Sequence, residues 1–159
     1  MNFIQQTVVL VKPDALQRGL IGEVIGRIEK KGLKIIALKM VNFDKVAEEW
    51  YSHIKDKDFF PRVRKFMTST PIVALLIEGY LAVEVVRRLC GEKRKGYEAE
   101  MGSIRGDFSM SGGQNIVHSS DSEESAKREI TMMFSKDDIF EYQSATECLI
   151  YDEDEKPSK

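Results

Sequence analysis

The sequence predicts an α+β fold, a four-stranded antiparallel sheet with helices packed on it. Three observations lead there: segments of apolar, β-branched residues of strand length, helical repeats lying between them, and an order in which the two alternate. The chain has 159 residues, 42% of them hydrophobic and 31% charged. That length suits one globular domain burying about two-thirds of its unfolded surface. The domain is read as residues 1–151, followed by a charged tail at 152–159.

Taken in order, "TVVLVK" at 7–12 is apolar enough for a buried strand and stops at Pro13, which cannot donate to a sheet ladder. A strand therefore delivers Lys12 at its end. Ile21, Val24, Ile25 and Ile28 repeat at helical spacing, and Gly32 supplies the left-handed cap. "LKIIALKMV" at 33–41 is a second strand, apolar on both faces and ended by "NFD". A helix from Asp44 carries Ala47, Trp50, Tyr51 and Ile54, and a second carries Phe59, Phe60, Val63, Phe66 and Met67 before "STP" breaks it.

"PIVALLIEG" is the third strand. "LAVEVVRRLCG" is a helix burying Leu81, Val85, Val86 and Leu89, with Arg87 and Arg88 near its C-terminal end. From Gly91 to Gln114 no periodicity is visible, and loops of that length are usually functional or disordered. "NIV" at 115–117 reads as a short fourth strand. Ser120 with Glu123 forms a capping box, opening a helix whose inward stripe is Ser122, Ala126, Ile130 and Met133. The tail "YDEDEKPSK" lacks apolar anchors and reads as a solvated end. This order fits a ferredoxin-like arrangement with the helices on one face of the sheet.

Lys and Arg number 24 against 26 Asp and Glu. The resulting net charge of −2 exerts no overall pull toward nucleic acid or an anionic membrane. Any anion must be caught locally. No apolar run is long enough to span a membrane, and the first residues lack the pattern of an export signal, so the expected location is cytoplasmic. Cys90 and Cys148 stand outside any CxxC or Cys/His ligand spacing and read as buried, reduced thiols.

His118 lies before a capped helix, a setting that favours an anion. A neutral imidazole can attack an electrophilic phosphorus once a neighbour fixes its tautomer, and Glu129 is the candidate neighbour, directly or through Ser120. A packed structural imidazole is the competing reading. His53, among Lys55, Asp56 and Lys57, is accounted for by a solvated helix end. Lys12 is placed to hold phosphate oxygens, although Lys-Pro-Asp serves equally as a strand-ending turn. Arg87 and Arg105 offer planar forks for phosphate. "SIRGDFSMSGGQN" combines glycines, a guanidinium and amides without the order of a P-loop, and its RGD is a weak adhesion signal. Phe59 is either a stacking platform for a base or a core partner of Phe60.

In these landmarks the chain resembles the nucleoside diphosphate kinases from about Thr7 to Tyr151: "VKPDALQRGLIGEV", "KDKDFF", "SIRGDF" and "NIVHSSDSEESAKREI" follow in that family's order. The resemblance implies that His118 takes the γ-phosphoryl group of a nucleoside triphosphate and passes it to a nucleoside diphosphate in a ping-pong reaction. It further implies that Lys12 holds phosphate and ribose, Tyr51 hydrogen-bonds near the transferring group, and Arg87 and Arg105 neutralise phosphates. Asn115 would bind the 3′-hydroxyl, Phe59 would stack on the base, and Glu129 with Ser120 would orient His118. Mg2+ is expected to be carried by the nucleotide phosphates. The family's members are symmetric homo-oligomers, most often hexamers.

Two departures stand out. Where the family has a phosphate-contacting Thr followed by a residue and Pro, this chain has Lys93, Arg94 and Lys95, in a segment one residue longer. Lys93 is expected to reach phosphate as a charge, with Arg94 or Lys95 as substitutes. Ser119 stands where Gly usually follows the histidine, which is expected to constrain the backbone there. The alternative from another class is a non-catalytic module binding nucleotide or single-stranded nucleic acid. Its aromatic stripe and basic face are not evident.

Overall fold

The computed structural model describes residues 3–152. At its centre lies β1 (Ile4–Val11), whose residues Thr7 to Val11 are fully buried. β1 pairs antiparallel with β3 (Ile72–Tyr80) on one side and with β4 (Val117–Ser119) on the other, while β2 (Lys34–Val41) closes the far edge of β3. The strand order is β2-β3-β1-β4, an all-antiparallel sheet. The α+β, four-stranded expectation therefore holds.

Its layering differs from the one-sided arrangement expected. Val9, Val11, Leu75 and Ile77 face a cluster with Val24 and Ile28 of α2 (Ile21–Lys30) and Val86 of α5 (Ala82–Cys90). Val8, Leu10 and Leu76 face a second cluster containing Phe43, Trp50, Met67 and Met133. These come from the 3₁₀ turn Phe43–Lys45, α3 (Ala47–Trp50), α4 (Phe60–Met67) and α7 (Glu123–Met133). Helices cover both faces because successive side chains of a strand point to opposite sides, and residues 7–11 of β1 and 72–77 of β3 are buried at every position.

Several element bounds move. Lys12 is not in the strand; its amide donates to the Ile116 carbonyl at 2.9 Å and its carbonyl accepts from Leu16 at 3.1 Å, opening α1 (Pro13–Gln17). Helix α2 matches the expected repeat, and Gly32 ends it at φ +90°. The helix expected to reach Ile54 stops at Trp50, after which Ser52, Ile54 and Lys57 donate to carbonyls three residues back. The charged run Lys55–Asp58 has no apolar face to support helix there. In α5 the buried stripe is Ala82, Val83, Val86 and Cys90, whereas Val85 and Leu89 are half-buried. Leu81 precedes the helix in a left-handed conformation at φ 49° and donates its amide to Phe3.

The stretch from Gly91 to Gln114 contains a 3₁₀ turn at Gly96–Glu98 and α6 (Ile104–Phe108), capped by Ser103. Strand β4 begins at Val117, so His118 lies within the strand, opposite Leu10. Ser122, not Ser120, caps α7, accepting from Ser125 N at 3.1 Å; buried Ser120 is used elsewhere. The inward face of α7 is Ala126, Glu129 and Met133, with Ile130 half-buried. A short α8 (Glu147–Ile150) precedes Tyr151, whose hydroxyl accepts from Tyr80 N at 3.4 Å. That residue of the expected solvated tail is anchored on the sheet; residues 153–159 of the tail lie outside the described residues. No helix among the described residues is long and apolar enough to cross a membrane.

Gly96 shows how tightly the 91–114 segment folds on itself: an added Cβ would lie 2.0 Å from the Ser109 carbonyl oxygen. Gly96→Ala is expected to destabilise the protein by roughly 1–3 kcal/mol through overpacking. Urea unfolding monitored by circular dichroism measures this; a change under about 0.5 kcal/mol, the usual size for an uninvolved surface position, contradicts the close packing.

Candidate active site

The site forms at one end of the sheet, where β1, β4 and the 91–114 segment converge. Glu129 is 4% exposed, and a buried carboxylate is costly unless donors reach it. Two do so at Oε2: the Ser120 hydroxyl at 2.7 Å and His118 Nε2 at 3.0 Å. Ser120 Oγ in turn accepts from the Val8 amide at 3.1 Å, tying the group to the central strand. Because a carboxylate only accepts, the contact assigns the proton to Nε2 and the lone pair to Nδ1. Nδ1 makes no hydrogen bond among the described residues, and the His118 side chain is 28% exposed. The imidazole is thus fixed at one nitrogen and open at the other.

Trp50, the only tryptophan of the chain, packs edge-to-face on the His118 ring at 5.3 Å between centroids. Phe43 packs edge-to-face with Trp50 at 5.7 Å and with Tyr51 at 5.8 Å. Burial pushes the Tyr51 phenol up to about 12, so it remains a donor throughout the neutral range.

Beside the histidine is a group of cations. Lys12 Nζ donates to Asn115 Oδ1, and Asn115 Nδ2 donates to the carbonyls of Arg94 at 2.8 Å and Gly112 at 3.2 Å. Burial, then the Arg105 guanidinium, pulls Lys12 down to about 7, against the opposing effect of Asp14. Asp14 Oδ2 accepts from Ile116 N at 3.0 Å and fixes the turn before β4, where Ile116 adopts φ 70°. Arg105 donates to the carbonyls of Gly91 and Val117, while its buried Nε has no partner among the described residues. Burial lowers Arg105 as well, with Arg87 and Arg94 acting in the same direction.

The remaining expected residues are arranged less closely. Phe59 is 40% exposed at the start of α4, whereas Phe60 is buried against Tyr51 at 6.2 Å; core packing accounts for Phe60 and leaves Phe59 available for stacking. Arg87 lies near Arg105 and Cys90 and also lines a shallow cavity of about 380 Å³ with Glu84, Asp121 and Glu123. Arg88 is taken by Glu84 at the surface. Lys93 is exposed and makes no hydrogen bond or ion pair among the described residues. His53 is exposed, as a solvated position requires.

Two expectations are corrected. Ser119 lies in the extended strand β4, paired with Val9; the left-handed residue near the histidine is Ile116, so a side chain at 119 carries no such strain. Of the two thiols only Cys90 is buried, its pKa pushed up to about 11 by burial, while Cys148 is exposed on α8. Trp50 and Asp14 carry no local signal of a site residue, and Arg94 enters the sequence reading only as a substitute for Lys93. Trp50 has the periodicity of an ordinary helix face, Asp14 that of a turn, and Arg94 that of a surface charge. A separate cavity of about 270 Å³, between the C-terminal segment and β2–β3, contains none of the site residues.

A family model described as nucleoside diphosphate kinase matches residues 5–139. A nucleoside diphosphate kinase of Archaeoglobus fulgidus is 48% identical over 151 residues, covering 94% of this chain and 99% of the relative. One from Staphylothermus marinus is 52% identical over 139 residues, covering 87% and 98%. Among solved structures, a halophilic nucleoside diphosphate kinase from Halobacterium salinarum in complex with CDP aligns with a TM-score of 0.89 at 37% identity, covering 93% of this chain and 99% of that one. A transition-state mimic of the Borrelia burgdorferi enzyme with bound vanadate and ADP aligns at 0.86 and 36% identity, covering 92% and 96%.

The depressed Lys12 pKa has a signed consequence for stability. Between about 7 and the ordinary 10.5 the unfolded chain binds the Lys12 proton and the folded chain does not, so this group's contribution makes stability rise with pH across that window. Lys12→Met removes the penalty of holding a buried ammonium below about 7. The variant is expected to gain most over native protein near pH 6 and progressively less toward pH 9, as measured by urea midpoints. A difference independent of pH contradicts the shift.

Proposed function

The chain belongs to the nucleoside diphosphate kinase family, phosphotransferases that move a γ-phosphoryl group from a nucleoside triphosphate to a nucleoside diphosphate, and we propose that its relay is a phosphohistidine at His118. The observation that carries the proposal is the Glu129 contact at Nε2, which leaves the Nδ1 lone pair open. In the first half-reaction Nδ1 attacks the γ-phosphorus, an N–P bond forms, and the bond to the bridging oxygen breaks, releasing the diphosphate. In the second half-reaction a terminal oxygen of another diphosphate attacks the phosphohistidine and restores the imidazole. One phosphoanhydride replaces another, so the protein has chiefly to position the groups in line and stabilise the charge on the transferring group. The vanadate and ADP complex of the Borrelia burgdorferi relative supports this reading.

In this scheme Lys12 and Arg105 hold phosphate oxygens, and Arg87 adds a third cation from α5. An approaching phosphate favours the charged form of Lys12, so binding restores the proton that burial displaces. Tyr51 donates near the transferring group, and Asn115 binds the 3′-hydroxyl. Exposed Lys93 contributes an unanchored charge at the mouth. Glu129, held by Ser120, orients His118 and balances the positive charge that develops on its ring. Phe59 stacks on the base, and stacking without base-edge hydrogen bonds tolerates any base. Mg2+ arrives with the nucleotide phosphates. The carboxylates near the site have other tasks: Glu129 serves His118, and Asp14 holds the Ile116 amide. A binding module without turnover would leave the oriented imidazole unused.

The same reading extends to a cytoplasmic homo-oligomer, a hexamer in the family's commonest form. The edge strand β2 supports association, because Leu38 and Met40 stand 52% and 62% exposed along it. Light scattering behind size exclusion is expected to give a mass several times 18.2 kDa; a single-chain mass contradicts the oligomer.

For the chemistry, incubation with γ-labelled ATP and Mg2+ is expected to yield an acid-labile, base-stable phosphoenzyme that GDP discharges. His118→Ala gives no label, and Glu129→Gln labels roughly tenfold or more slowly, as expected when the group that orients a reacting imidazole is lost. Unlabelled native protein, or a His118→Ala variant that labels like native, overturns the relay.

A further inference from the structure

The three consecutive cations Lys93, Arg94 and Lys95 have different surroundings. Lys95 is occupied by Glu98 at 3.0 Å and lies over the Tyr97 ring. Lys93 is exposed and unpaired among the described residues. Arg94 alone is built into the site from both ends. Its carbonyl accepts Asn115 Nδ2 at 2.8 Å, and its Nε donates to the Gly112 carbonyl at 3.1 Å. Gly112 O also accepts from Asn115, whose Oδ1 takes the Lys12 ammonium, so Arg94, Gly112, Asn115 and Lys12 form one bonded group.

Holding Arg94 at Nε leaves its two Nη groups without a hydrogen bond among the described residues. Its charge acts on Lys12, Tyr51 and Arg105, so the guanidinium lies near all three. Of the carboxylates near these groups, Asp14 is engaged by Ile116 and Glu129 by His118 and Ser120. A planar fork positioned in advance among like charges, with its outer nitrogens free, matches the oxygens of a polyphosphate.

We propose that Arg94 is a nucleotide-binding residue that grips the non-transferred phosphates of the substrate through its free Nη pair, while its carbonyl sets the Asn115 amide that faces the sugar. The assignment rests on the reading of His118 as the relay. It makes Arg94, rather than Lys93, the ordered contact supplied by this segment. Lys93 must lose side-chain entropy to reach a phosphate, whereas much of that cost for Arg94 is already met by the Gly112 bond.

The test is equilibrium binding of ADP to native protein and to Arg94→Gln over a series of KCl concentrations. Losing a charge-assisted fork is expected to weaken ADP binding roughly tenfold at low salt. The gap should narrow as KCl rises, because screening weakens the native contact. A change within twofold at low salt overturns the proposal. So does a gap that stays constant with KCl, since that pattern belongs to a displaced loop and not to a lost charge. Phosphoenzyme labelling of native protein is scored separately: its absence overturns the His118 relay, while the ADP comparison still decides Arg94.

Discussion

The candidate active site depends on one buried carboxylate. Glu129 occupies the inward face of α7 between Ala126 and Met133, a place where an apolar residue would ordinarily pack. Its Oε2 is satisfied by His118 and Ser120, and Ser120 reaches through to the amide of Val8 in the central strand. This short chain of bonds links helix, edge strand and sheet centre. It also decides which imidazole nitrogen carries the proton, and hence which one is free for chemistry. Trp50 and Phe43 add an aromatic wall that restrains the ring plane, so the imidazole is located by packing as well as by its hydrogen bond.

Around that fixed ring the protein gathers charge of one sign. Burial, then neighbouring cations, disfavours the charged form of both Lys12 and Arg105, with Arg94 acting on each. The arrangement is held because each is anchored by neutral partners: the Asn115 amide for Lys12, the Gly91 and Val117 carbonyls for Arg105, and the Gly112 carbonyl for Arg94. Such a cluster is strained without an anion and relieved by one, which supports the proposed polyphosphate site in a chain whose net charge is −2.

Much of the fold was legible locally. The apolar runs of β1 and β3 and the repeat of α2 mark their elements because burial imposes a period on the side chains. The same continuous apolarity implies two covered faces, and the clusters on both sides of the sheet differ from the one-sided expectation for that reason. Smaller misses have local causes. Ser120 and Ser122 both offer a cap hydroxyl, and only the position of Glu129 shows that Ser120 is needed in the interior. The α5 stripe was displaced because Leu81 leaves the helix in a left-handed conformation that its residue type does not announce.

By itself the sequence determined which residue types were available for chemistry and their order along the chain. The Lys-Pro-Asp, Ile-Arg-Gly-Asp and Asn-x-x-His-x-Ser-Asp elements also made the family recognisable. Only the tertiary structure decided the distances among them: His118 against Trp50, Arg94 against Asn115, and Ile116, not Ser119, as the left-handed residue beside the site. The physical reason is that secondary structure follows from contacts a few residues apart, whereas this site is assembled from contacts across the sheet, such as Lys12 to Asn115, where sequence separation conceals proximity.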